Sequence, residues 1–396
     1  MATTTPTLLV KDLSALWDGE RVRYRVSVLV RGGEVVEVGR LEAPEGAQVI
    51  DGHGKIGMPG LVDCHTHLVH AGTRLGDFVR RLGGTTYTDI LQGGGGIHTT
   101  VAATRAATEA HLLGTTRARL RAMLSLGVTT VEVKSGYGLD VATEARMLRT
   151  AKAAAWPVDV ATTFLGAHAV PPGVDREAYV ADVCGPMLDA CAPLAEAIDV
   201  YCDRGAFTLD EARAILAAGK ARGLRVKAHA EQVEFTGVAA MAAEMGALSC
   251  DHLERLDDGG VAAMARHGTV AVLLPGAMLY LRDTPPPVEK LRSAGVPMAV
   301  ATDFNPGSSP VADLWTCATL ACLTMGLTPE EALAGITRHA ARALGRPEKG
   351  WIGPGSSSDM AIFSPPPGEI ADPRVLVMYT GARRADAVFV GGRRAW

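Results

Sequence analysis

Between residues 59 and 348 the chain alternates short apolar runs with longer stretches whose apolar positions recur at helical spacing. The apolar runs predict strands at Leu61–Asp63, Val128–Val133, Val160–Leu165, Ala197–Tyr201, Leu224–Ala228, Ala247–Asp251, Thr269–Leu274 and Val296–Thr302. Their hydrophobicity is continuous rather than alternating, as in parallel strands covered by helices on both faces. Thr208-Leu-Asp-Glu211 reads as a capping box before an Ala-rich helix that stops near Gly223. Thr328-Pro329-Glu330-Glu331 opens another helix, with proline at its first position and a stop expected at Gly345. Eight such βα units predict a (β/α)8 barrel, with a doubly wound open sheet as the alternative.

The two chain ends share a different texture. Val26–Val30 and Val35–Val38, broken by Gly32-Gly33, are matched near the other terminus by Met360–Phe363 and Ala387–Val390, followed by Gly391-Gly392. Neither end alone can enclose a useful core. They are therefore expected to pair into one small β-sandwich domain, residues 1–58 with 349–396, beside a barrel of residues 59–348.

Composition narrows the function. The 396 residues are 47% hydrophobic and 21% charged, with a formal net charge of -4, which leaves no basic footprint for nucleic acid. No apolar run approaches the roughly 20 residues of a membrane span. Met1–Asp12 lacks a basic segment followed by an apolar one, so no secretory leader is expected. The seven cysteines form no C-x-x-C pair and sit mostly in apolar segments, which suggests buried thiols in a reducing cytoplasm.

The candidate chemistry lies at the strand ends, where barrel active sites form. In Asp63-Cys64-His65-Thr66-His67, alternate residues of an extended segment put His65 and His67 on one side. His168 follows the third predicted strand, His229 the fifth, His252 the sixth, and Asp303 the eighth. His65, His67, His229 and Asp303 make a plausible nitrogen and oxygen ligand set for one zinc or iron ion. Such an ion lowers the pKa of its water toward ~7, and Asp303 or His252 can take the proton. This points to hydrolysis at a carbonyl or amidine carbon. His111, His267 and His339 read as surface residues, while His53, His70 and His98 are placed in loops without an assigned role.

The segment Gly57-Met-Pro-Gly-Leu-Val-Asp-Cys-His-Thr-His67, with His229, His252, the Thr302-Asp303 pair and Lys349-Gly-Trp-Ile-Gly-Pro-Gly-Ser-Ser-Ser-Asp359, resembles the amidohydrolase superfamily. Within it, His67-Leu-Val-His-Ala-Gly-Thr-Arg74, Gln92-Gly-Gly-Gly-Gly-Ile97, Glu132-Val-Lys-Ser-Gly-Tyr-Gly138, Lys227-Ala-His-Ala-Glu-Gln232 and Asp303-Phe-Asn-Pro-Gly-Ser308 are similar to the imidazolonepropionase family over essentially the whole chain. The resemblance implies one metal ion, a homodimer and opening of the ring of 4-imidazolone-5-propanoate to N-formimidoyl-L-glutamate in histidine degradation.

By the same resemblance, Arg74 pairs with the substrate carboxylate, Tyr137 and Tyr87 offer hydroxyls, and His168 bonds the substrate and polarises the attacked carbonyl. Gln232 contacts the ring; being an amide, it leaves the base role to Asp303 and His252. Asn305, Gly307 and Ser308 are implied as contacts to substrate or product. Gly93–Gly96 lacks the Lys-Ser/Thr of a phosphate loop and is read as a flexible loop beside the site. With a single metal implied, Lys134 is a supporting residue rather than a carbamylated bridge. A one-metal nucleobase deaminase, using Glu231 as its acid, is the nearer rival. A non-catalytic scaffold of the same fold is the remote one.

Overall fold

The computed structural model describes residues 7–84, 95–381 and 383–396. Strands β1 (Leu8–Trp17), β2 (Val22–Arg31), β3 (Glu34–Gly39), β4 (Gln48–Asp51) and β5 (Ile56–Pro59) come from the first part of the chain. The barrel strands follow as β6 (Leu61–Asp63), β7 (Val128–Lys134), β8 (Asp159–Ala167), β9 (Ala197–Cys202), β10 (Arg225–Ala230), β11 (Ser249–His252), β12 (Val270–Leu273) and β13 (Met298–Val300). All eight expected barrel runs are strands, with ends shifted by a few residues.

β6 to β13 pair parallel, each with the next, and every residue of β7, Val-Thr-Thr-Val-Glu-Val-Lys, is buried. The sheet closes just beyond its first and last strands. Thr66 bridges Phe304, Asp303 N–H donates to His65 O at 3.0 Å, and His67 N–H donates to Phe304 O at 3.0 Å. Closure selects the barrel over the open sheet, and it brings His65, His67 and Asp303 to one seam.

β14 (Met360–Phe363), β15 (Ala387–Val390) and β16 (Arg393–Arg394) complete a second sheet in the order β16-β15-β14-β5-β1-β2-β3, with β4 beside β1. β14 runs antiparallel to β5, with Met360 opposite Pro59 and Phe363 opposite Ile56, so the two ends of the chain share one β-sandwich domain. Its own core packs Leu8, Val10, Leu13, Leu16, Val28 and Val30 against Ile352, Met360, Ile362 and Phe389.

Both capping boxes form, at Thr208 with Glu211 and at Thr328 with Glu331. The second helix does not run to Gly345. It ends as Pro329–Gly335, and a separate helix covers Arg338–Ala343. The Ile336 carbonyl turns to accept Val62 N–H at 2.9 Å from β6, and Trp17 Nε1 donates to Thr337 Oγ1 at 3.4 Å. Those tertiary bonds replace helical ones. Two histidines also depart from expectation. His339 is half-buried with Nδ1 3.0 Å from Met298 O, and His98 lies on the helix Ile97–Ala106 rather than in a loop.

Candidate active site

His65 and His67 leave β6, His229 lies in β10, His252 ends β11 and Asp303 stands three residues past β13. Their side chains converge. The rings of His65 and His229 are 4.5 Å apart by centroid, those of His65 and His67 5.3 Å, and those of His229 and His252 5.4 Å. Asp303 Oδ1 is 3.5 Å from Nε2 of both His65 and His67. The ligating atoms of His65, His67 and Asp303 lie within 4.8 Å of one another, as do those of His65, His229 and His252. Asp303, His252 and Glu231 all take positive φ (50°, 82° and 56°), a conformation that side chains rarely adopt. Such local strain at strand ends is characteristic of functional sites.

The donor set fits a metal ion. His65 Nε2 and His229 Nε2 are buried without a hydrogen-bond partner, and an unpaired buried imidazole nitrogen is unfavourable unless it ligates, while His67 turns its Nε2 toward Asp303. Burial holds His65, His67 and His252 well below the usual histidine pKa, keeping the imidazoles in their neutral, ligating form.

A buried ionic layer supports these rings from below. Asp251 Oδ2 is 2.6 Å from His65 Nδ1, and Asp199 Oδ2 is 3.0 Å from His229 Nδ1. Lys134 Nζ stands 2.6 Å from Asp199, 3.0 Å from Glu132 and 3.6 Å from Asp251. Lys227 Nζ lies 2.8 Å from Glu132 and donates to Cys64 O at 3.0 Å. Burial alone would raise the Asp199 carboxyl, but His229 and Lys134 outweigh it and hold the group well below its ordinary value. Burial would likewise lower Lys134, yet Asp199, Glu132 and Asp251 raise it and keep it charged. Three carboxylates against two ammoniums leave one negative charge behind the imidazoles. That charge favours a cation in front of them, and the paired carboxylates fix ring orientation.

The amidohydrolase family profile matches residues 74–394. The chain belongs to that family. It is 47% identical to the imidazolonepropionase of Stenotrophomonas maltophilia, over 91% of this chain and 90% of that one. It is 52% identical to that of Acidiphilium cryptum, over 88% and 87%. These identities put this amidohydrolase among the imidazolonepropionases. Solved structures share the fold at lower identity. Triazine hydrolase from Arthrobacter aurescens superposes with a TM-score of 0.76 at 19% identity, covering 98% of this chain and 94% of that one. A zinc-bound adenosine deaminase from Xanthomonas campestris gives 0.73 at 18%, covering 98% and 92%.

Around the His/Asp cluster of this amidohydrolase, His168 stacks on His67 at 5.2 Å, its Nδ1 2.9 Å from Gly136 O. A side chain at Gly136 would come 2.8 Å from that nitrogen, so glycine is what lets the ring approach. Tyr137 is buried beside both rings, 5.7 Å from His67 and 5.4 Å from His168. Its loop is shaped by Glu144, whose carboxylate accepts from Gly136, Gly138 and Leu139 N–H at 2.7–2.9 Å. Arg74 is buried with its Nε bonded to Asp77. Gly307 leans over Arg74, since an added Cβ would lie 3.0 Å from Nη1, 3.2 Å from Cζ and 3.4 Å from Nη2.

Asn305 spends its amide inside its own loop, donating to Asp303 O and Ser308 Oγ and accepting from Gly307 and Ser308 N–H. It therefore shapes the loop that carries Gly307 and Ser308. Gln232 is buried, and its N–H donates to Asp203 at 2.9 Å. Glu231 holds its own loop, its oxygens accepting from Thr236 N–H at 2.7 Å and Ala239 N–H at 3.1 Å. Tyr87 and Gly93-Gly94 lie outside the described residues. His70 is buried with Nδ1 2.8 Å from His67 O, bracing the ligand segment.

The sequence reading assigned no role to Glu132 and Lys227, which it named only within motifs, and passed over Asp199, Asp251, Glu144, Asp77 and Glu254. Glu254 is buried with Oε2 4.0 Å from His252 Nδ1, and burial pushes its carboxyl up to about 8. The available signal was charge inside apolar strands, as in Ala-Ile-Asp199-Val-Tyr-Cys, since unpaired charges are almost never fully buried. All seven cysteines are free, and five of them are buried. No helix among the described residues is long and apolar enough to cross a membrane.

Proposed function

We propose that the site binds one zinc or iron ion through His65, His67, His229 and Asp303, and that it hydrolyses the ring C–N amide bond of 4-imidazolone-5-propanoate to N-formimidoyl-L-glutamate. The observation that carries this reading is the convergence of three buried imidazoles, two with a partnerless Nε2, and one carboxylate, in a chain about half identical to imidazolonepropionases. When bound, the ion supplies Lewis acidity, which acidifies water and polarises a carbonyl oxygen.

The protein's own residues do the rest. Arg74 takes the propionate and fixes the ring's position, with Gly307, Ser308 and Asn305 forming the facing loop. Tyr137 and Gln232 bond the substrate's polar edges, and Tyr87 is proposed to join them. His168, with Nδ1 committed to Gly136 O, presents its other nitrogen to the carbonyl oxygen as charge builds there. Asp303 takes the water's proton as the water oxygen bonds to the ring carbonyl carbon. His252 holds or relays that proton until it returns to the departing ring nitrogen, so atoms and charge balance across the step.

The nucleobase-deaminase reading loses its acid, because both Glu231 oxygens are occupied by backbone N–H groups. We further propose residues 1–58 with 349–396, and 59–348, as the two domains, a homodimer as the assembly and the cytoplasm as the location. The test is turnover of freshly prepared 4-imidazolone-5-propanoate, followed by loss of its ultraviolet absorbance with and without chelator. Chelator-sensitive conversion, lost in a folded His229→Ala variant with reduced metal content, is the expected result. No conversion by metal-replete protein would discard the substrate and direct the search to other cyclic amides.

A further inference from the structure

We propose that Asp77 is the positioning residue that aims Arg74 at a substrate carboxylate. The proposal rests on the reading of Arg74 as the carboxylate's partner. Asp77 lies on the helix Leu75–Leu82, directly after Arg74, and both side chains are nearly inaccessible, at 9% and 7%. Asp77 Oδ2 accepts from Arg74 Nε and from Gly96 N–H at 3.1 Å, while Oδ1 accepts from Arg80 Nη2 at 2.5 Å.

Three consequences follow from this arrangement. The acid grips the guanidinium by its Nε edge, so the Nη1–Nη2 edge is the one offered for a two-point bond with a carboxylate. Thr100 Oγ1, 3.5 Å from Nη1, and the bare Gly307 over the guanidinium plane set the tilt of that edge. Among the described residues, the Asp77 carboxylate is shared by two guanidiniums, those of Arg74 and Arg80. Asp77 can therefore orient Arg74 without cancelling the attraction for an anion. Its bond from Gly96 N–H also pins the far end of the glycine run to the same carboxylate.

The test uses metal-loaded protein and two ligands, 3-(imidazol-4-yl)propanoate and its carboxamide, as competitive inhibitors, alongside kcat and KM for the substrate. Asp77→Asn is expected to weaken the acid about tenfold and leave the amide unchanged, raising KM more than it lowers kcat. Asp77→Glu should recover most of the loss, and Arg74→Ala/Asp77→Asn should be no weaker than Arg74→Ala alone. If Arg74→Ala weakens the acid selectively but Asp77→Asn does not, Asp77 has no positioning role and Arg74 keeps its own. Equal weakening of acid and amide by Asp77→Asn would reduce Asp77 to a structural residue and overturn the proposal. If Arg74→Ala does not distinguish acid from amide, the reading of Arg74 fails and the proposal falls with it.

Discussion

Replacing Lys134 by Met removes the cation that binds the buried ionic layer together while nearly preserving side-chain volume. Glu132 and Asp251 would still have Lys227, at 2.8 and 4.0 Å. Asp199 would keep the His229 ring at 3.0 Å and the N–H groups of Val200 and His229 at 2.7 and 3.1 Å, but no ammonium, having lost Lys134 at 2.6 Å. Removing one member of a buried, hydrogen-bonded charge cluster destabilises by about 3–5 kcal/mol, because the remaining charge stays desolvated. The penalty must depend on pH. In the wild type the Asp199 pKa is held low, so its contribution is present above the unfolded carboxylate value and is lost as pH falls through the folded one. In the variant His229 opposes burial without Lys134, so that carboxyl rises from its wild-type value. The resulting difference in stability grows as pH rises from the wild-type folded value to the variant's.

Denaturant unfolding of chelator-treated Lys134→Met and wild type, at pH 5 and pH 8, measures both quantities without interference from metal. The larger difference should appear at pH 8. A destabilisation under about 1 kcal/mol, no more than the average single substitution, would refute the reasoning, as would one equal at both pH values.

Other substitutions isolate single features of the site. Glu231→Gln should leave kcat within about threefold of wild type, because the group serves backbone N–H donors, whereas a general acid would lose roughly 10²–10⁴-fold. Gly307→Ala places a methyl 3.0 Å from Arg74 Nη1, and steady-state kinetics should show KM raised about tenfold with kcat little changed. Thr208→Ala deletes a capping box and should lower unfolding stability by about 1 kcal/mol without altering turnover.

The barrel is readable from the amino acids because parallel strands buried on both faces must be apolar throughout, and those runs stand out between amphipathic helices. His65, His67, His229 and Asp303 are readable for the same reason, each breaking an apolar run at its end. Glu132, Asp199 and Asp251 break such runs too, but their meaning depends on remote partners. Asp199 meets a lysine 65 positions away, and Asp251 meets His65 across 186. Only closure of the barrel defines those pairs. Thr337 fails to read as a helix break because local propensity favours continuation, and what ends the helix is bonding to β6 and to Trp17. Asp77 and Arg80 look like an ordinary solvated helix face until the burial of Arg74 is known.

The seam between the first and last barrel strands has a consequence for biosynthesis. Asp63 binds Thr302 through both carboxylate oxygens across 239 positions, immediately beside the points where His65, His67 and Asp303 meet. On the ribosome, the paired imidazoles emerge long before their acidic counterpart and before His229. Until His229 emerges, the proposed ligand set offers an ion only two imidazoles, too few to retain it against free chelators in the cell. On that ligand set, stable ion capture waits for closure of the barrel, and the ion retained by a purified preparation would count the molecules in which that closure has been completed.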